Sequence, residues 1–139
     1  MKIEIKRKNE NFQLEATNEA GNHLIIDLSK DGGGDDGGYR PMQMVLTALG
    51  GCSSMDVLTI LKKQRLEPFD LKVTLDGERE TGKEANLWKT IHVHYAFKGN
   101  LPKEKAERAV QLSLEKYCSV AKTLEAGGTK ITSEVIIAT

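Results

Sequence analysis

The stretch Pro41 to Lys63, PMQMVLTALGGCSSMDVLTILKK, constrains this chain more than any other. Its apolar residues (Met42, Met44, Val45, Leu46, Ala48, Leu49, Met55, Val57, Leu58, Ile60 and Leu61) fall on more than one side of a 3.6-residue period. A surface helix confines such residues to one stripe, so the pattern predicts a helix covered on most sides. Pro41 suits a first helical position, where the missing N–H is no loss. Lys62, Lys63, Gln64 and Arg65 place positive charge at the C-terminal end. Gly50 and Gly51 interrupt the run, each at a cost of about 1 kcal/mol against alanine. Two compatible readings follow. Another part of the chain packs where no side chain fits, or the pair opens the helix beside Cys52 and frees N–H groups toward its sulfur.

With 139 residues, a single domain spanning 1–139 is the expectation. Twenty basic residues balance 20 acidic ones, so no electrostatic argument favours nucleic acid or an anionic membrane. No apolar run reaches about 18 residues free of charge and glycine, so no membrane span is expected. The N-terminus, MKIEIKRKNE, alternates and is charged, unlike a signal peptide. A cytoplasmic, reducing location follows as an expectation, in which two cysteines are free or redox-active rather than a structural staple. A small domain buries a low fraction of its surface, so so apolar a helix suggests cover from a second subunit.

Alternation predicts three N-terminal strands, at Lys2–Arg7, around Phe12, Leu14 and Ala16, and at His23–Leu28, joined by turns at 9–11 and 18–22. Lys30 to Gly38, KDGGGDDGG, fits no phosphate-binding or calcium-binding spacing and reads as a flexible, partly disordered loop. After the long helix, Pro68 closes a turn. Leu71, Val73 and Leu75 then form a strand, Asp76–Glu84 a polar connection, and Thr90–Lys98 the return strand. Leu101–Tyr117 is helical, Cys118 sits at a break, a short helical piece runs to Gly127–Gly128, and Ile131–Ala138 is a final strand. The order βββ–α–ββ–αα–β argues for an α+β fold rather than a βαβ parallel sheet.

The chemistry-bearing candidates are Cys52 and Cys118. No CxxC is present, so a thioredoxin-type site is unsupported. Two buried thiols are compatible with plain packing. They are equally compatible with reactivity, because Cys52 follows a glycine pair and Cys118 lies at a helix break where N–H groups are available. Lys116 and Lys122 flank Cys118. His92 and His94 share one strand face; with thiols they would suit zinc, but strand alternation favours an ordinary polar outer face and no metal.

GYRPMQMVLTALGGCSSMDVLTILKK, followed far downstream by KYCSVAKTL, resembles the OsmC/Ohr superfamily of osmotically induced and organic hydroperoxide resistance proteins, and most closely its YhfA-like branch. The resemblance extends over nearly the whole chain. It implies an intertwined homodimer with central buried helices and outer antiparallel sheets. It further implies a thiol-dependent hydroperoxide reductase in which Cys52 is the peroxidatic thiolate and Cys118 the resolving thiol. A small thiol or lipoyl-type dithiol would act as reductant, with no metal or organic cofactor. Gln43 stands where active members carry a glutamate, and Arg40 is the candidate for the family's activating arginine. The alternative is a non-catalytic, redox-responsive or small hydrophobic ligand-binding protein on the same fold.

Overall fold

A computed structural model describes residues 1–66 and 69–138, which form two compact units, Met1–Val45 and Leu46–Thr139. Pro68, expected to close a turn, lies outside the described residues.

The first unit is built on a meander. Strand β1 (Ile3–Arg7) pairs antiparallel with β2 (Leu14–Asn18), and β2 with β3 (His23–Ile26). The glycine-rich loop that follows is no regular element, as expected, but it is closely packed rather than loose. It wraps the buried Asp27, whose carboxylate accepts the Gly37 N–H at 3.0 Å and the Leu28 N–H at 2.8 Å. Burial alone would raise the Asp27 pKa. Bonds from the Gly37, Leu28 and Asp35 backbone and from Gln13 outweigh it and hold the carboxyl below its usual range. Glycine is required for this wrapping: a Cβ on Gly34 would sit 2.3 Å from the Leu28 carbonyl oxygen, and one on Gly38 would sit 2.4 Å from that of Ile25.

Helix α1 spans Pro41–Lys63 and runs unbroken through the glycine pair, so of the two readings the opening beside Cys52 does not occur. By length and mean hydropathy alone it would be long and apolar enough to cross a membrane, a test that the core helix of a globular domain also meets. Its end is a Schellman motif: the Leu66 N–H bonds the Leu61 carbonyl and the Arg65 N–H that of Lys62.

In the second unit, Leu49, Val57 and Leu61 of α1 join one apolar core with Ile91, Val93, Tyr95 and Phe97. The latter four lie on β5 (Trp88–Gly99), which pairs antiparallel with β4 (Phe69–Arg79). Strand β4 is longer than the Leu71–Leu75 segment expected and takes in part of the charged connection. Its register continues opposite Trp88 because Gly77 lets the Trp88 ring approach to within 2.7 Å of where a Cβ would be. Gly50 answers the packing reading, since a Cβ there would meet Leu75 at 2.6 Å, whereas Gly51 meets nothing within 4 Å.

Helix α2 (Lys103–Leu112) passes into a π turn at Ser113–Tyr117, then helix α3 (Ser119–Ala126) leads to β6 (Lys130–Ala138). The last strand pairs parallel with β5. The α+β class holds, but a helical crossover between parallel neighbours is present, which the sequence pattern had argued against. Clustered strands in the sequence do not reveal where the last one docks.

Candidate active site

Cys52 lies in α1 within the second unit, half-buried, and Cys118 is fully buried between the π turn and α3. The fold brings the two together. A sulfur from each and a carboxylate oxygen of Asp56 all lie within 4.8 Å of one another.

The π turn sets Cys118 in place. Its N–H bonds the Ser113 carbonyl at 2.7 Å, one residue further back than an α-helix allows. The backbone then extends at Cys118 (φ −74°, ψ 104°), and its sulfur caps α3 by accepting the Ala121 N–H at 3.4 Å. The helix break expected at Cys118 is therefore real and does supply donors. They do not win: burial pushes the Cys118 thiol up to about 11, the Ala121 bond opposes this, and a hydrogen bond and charge interaction with Cys52 push further upward. Lys116 and Lys122 take other partners, Lys116 over the Tyr117 ring at 5.2 Å and Lys122 beside Glu125 at 3.6 Å.

Four polar residues, Asp56, Ser113, Ser53 and Tyr95, which the sequence did not assign to it, complete the site. Asp56 accepts the Ser113 hydroxyl at 2.8 Å. The Ser113 hydroxyl also lies 3.3 Å from the Ser53 carbonyl, tying the π turn to α1. The Ser53 hydroxyl pairs with the Tyr95 hydroxyl at 2.7 Å. Tyr95 is held up to about 12, first by burial, with Cys118 and Asp56 as lesser contributions in the same direction. Asp56 was findable: it stands four residues after Cys52, on the same helix face. Ser113 and Tyr95 carry no comparable signal. Beside Asp56 opens a cavity of about 600 Å³, lined also by Ile60, Lys63, Leu112 and Tyr117.

Arg40 and Gln43 belong to the first unit and bond each other. Arg40 is the N-cap of α1, and its N–H donates to the Gln43 side-chain oxygen at 3.1 Å, half of a capping box. The Arg40 guanidinium pairs with Asp36 at 2.9 Å. His92 and His94 face away from Tyr95 and meet Glu134, forming a group separate from the thiols.

Residues 33–134 match the family described as OsmC-like protein. Protein YhfA of Escherichia coli K12 is 44% identical over 107 residues, which is 76% of this chain and 77% of that one. A hypothetical protein from Aquifex aeolicus VF5, of known crystal structure, is 31% identical with a TM-score of 0.80, covering 99% of this chain and 97% of its own. An organic hydroperoxide resistance protein OsmC from Legionella pneumophila shares the fold at 17% identity and a TM-score of 0.68, covering 98% and 97%. The matched span contains both cysteines; the chain belongs to the OsmC-like protein family, in its YhfA-like branch.

Proposed function

We propose that this chain reduces organic hydroperoxides with a thiol pair, Cys52 attacking and Cys118 resolving. The observation that carries the reading is the convergence of two sulfurs within 4.8 Å from elements remote in sequence. The name of the Legionella relative supports a hydroperoxide substrate and a part in stress defence. Exposure orders the roles, since Cys52 is the more accessible sulfur and Cys118 is buried.

The Cys52 thiolate attacks the outer peroxide oxygen. The O–O bond breaks, the alkoxide leaves and takes a proton as the alcohol, and Cys52 becomes a sulfenic acid. Cys118, kept protonated by burial until then, attacks the Cys52 sulfur. The S–O bond breaks, the Cys118 proton leaves with hydroxide as water, and a disulfide forms. Two thiols of a small thiol or a lipoyl-type dithiol return both cysteines to the reduced state. The cavity with Ile60, Leu112 and Tyr117 offers apolar contact to an organic group, and Lys63 a positive charge at its wall. In this proposal Arg40 and Gln43 fix the start of the helix that carries Cys52, the Gln43 side-chain oxygen accepting the Arg40 N–H.

The same proposal includes a cytoplasmic homodimer. Met55 and Leu58 of α1 are 67% and 40% exposed in the single chain, and Ile3 and Ile5 of β1 are each 57% exposed. Apolar residues so concentrated on two elements mark an association surface.

A second reading has one observation of its own. Asp56 places beside both sulfurs a carboxylate, which accepts from Ser113 and has no hydrogen to donate to a peroxide or a sulfur. On that reading the pair is a slow redox switch rather than a peroxidase. One experiment separates the two: consumption of cumene hydroperoxide coupled to a dithiol. The peroxidase reading expects turnover that Cys52→Ser abolishes. It also expects Cys118→Ser to stop after one equivalent and leave a trappable sulfenic acid. Turnover surviving Cys52→Ser overturns it, and disulfide formation without turnover establishes the switch.

A further inference from the structure

Along β5, Ile91, Val93 and Tyr95 are fully buried, and the intervening His92 and His94 occupy the opposite, half-exposed face. Their rings meet edge to face, 4.5 Å between centroids at 85°. The parallel register sets Thr132 of β6 beside His92, and Glu134 beside His94. His94 Nδ1 is in direct contact with the Glu134 carboxylate, and His92 Nε2 lies 3.8 Å from the same oxygen. His92 Nδ1 is 2.6 Å from the Thr132 hydroxyl. One ligand atom from each of His92, His94 and Glu134 lies within 4.8 Å of the other two.

The geometry points to a binding site for a divalent cation of the zinc class, formed by His92, His94 and Glu134 and independent of the thiol pair. Zinc bonds to imidazole nitrogen and carboxylate oxygen are about 2.0–2.2 Å, so tetrahedral ligand atoms stand about 3.3–3.6 Å apart. Atoms already within 4.8 Å reach that spacing by side-chain rotation alone. Two imidazoles and one carboxylate are a donor set that holds zinc with a fourth position left to water.

The Thr132 contact is a second, separate sign. In the tautomer whose Nδ1–H donates to Thr132, the lone pair of His92 is on Nε2, the nitrogen 3.8 Å from the Glu134 carboxylate. Ligating histidines are anchored in this way through their other nitrogen. An ordinary surface ion pair needs one histidine and one carboxylate. It does not need two rings converging on a single oxygen, one of them fixed from behind. Asp76 of β4, opposite His92 in the register, adds negative charge on the same face. The three ligands stand on adjacent paired strands, which hold a site more rigidly than loops do.

The test is equilibrium dialysis of the reduced, chelator-stripped chain against zinc alone, run beside the Cys52→Ser/Cys118→Ser double variant. The double variant matters because Cys52, Asp56 and Cys118 also converge and could take zinc themselves. One equivalent retained by the double variant and lost on His94→Ala or Glu134→Gln is the expected result. Thr132→Val should weaken binding by about 10–100-fold. Cobalt bound to the double variant should show visible d–d bands that His94→Ala removes. Zinc that vanishes with the cysteines, zinc that survives both His94→Ala and Glu134→Gln, or no zinc at all overturns the site. Both variants alter the outer sheet face, and an unchanged far-ultraviolet circular dichroism spectrum confirms folding. Peroxide turnover is read separately, so either proposal can fail alone.

Discussion

Cys118 shows how a single residue can be placed by one force and tuned by another. Its sulfur caps α3 by accepting the Ala121 N–H, the usual recipe for an acidic thiol. Burial nevertheless prevails, and the thiol is pushed up to about 11 from 9.0. The same shift acts on folding. The unfolded chain releases this proton near 9.0 and the folded chain near 11, so the stabilising contribution is intact below pH 9.0 and is lost as pH climbs toward 11. Chemical denaturation in steps between pH 8 and 11 should show falling stability, and Cys118→Ala should flatten that fall even though it lowers stability at neutral pH. A fall of equal steepness in the variant would assign the effect elsewhere. In native protein at pH 8, iodoacetamide should modify Cys52 well before Cys118. Both cysteines were legible from their local sequence. The balance of burial against donors at Cys118 was not, because it depends on Tyr95 and Cys52, remote in sequence, which no local pattern assigns to it.

At the scale of elements, α1 is the part most plainly written in the sequence. Its start at Pro41 and end near Lys63 follow from proline, capping and terminal charge. Its end carries one local conflict: Arg65 has φ of 58°, a left-handed conformation usually taken by glycine at this place in a Schellman motif. Arg65→Gly should therefore raise stability by about 0.5–1 kcal/mol, read as a higher urea midpoint with unchanged slope. No change, or a loss, would mean that the Arg65 side chain contributes contacts that offset the strain. The parallel docking of β6 and the π turn were not legible. Strand order is decided by which apolar faces remain to be covered, and a π turn differs from an α turn by one hydrogen-bond partner, not by composition. The meander of the first unit was legible because polar and apolar residues alternate between clear turns. The packing of the glycine loop around Asp27 was not, since glycine-rich sequence looks the same whether it is loose or crowded.

For the whole molecule, the unanswered demand of α1 is cover. Gly51, Met55 and Leu58 follow one another at helical spacing, and a Cβ on Gly51 meets nothing within 4 Å in its own chain. Within one chain, Gly51→Ala would simply improve helix propensity by about 1 kcal/mol. In the proposed dimer the position lets a second chain approach, so the substitution should instead weaken association. Light scattering after gel filtration should give a dimer for the wild-type chain and a concentration-dependent shift toward monomer for Gly51→Ala. Met55→Glu should be monomeric at concentrations where the wild-type chain is dimeric. A monomeric wild-type chain would remove the dimer from the functional proposal.

The single surplus residue in the turn at Ser113–Tyr117 sets where the second sulfur comes to rest. Each residue advances a helix by about 100°, so deleting one there would let the coil tighten and swing everything beyond it through that angle. The thiol would keep its neighbours in sequence and lose its counterpart in space. Evolution could thus switch such a pair off by a three-base deletion while leaving both cysteines in the gene.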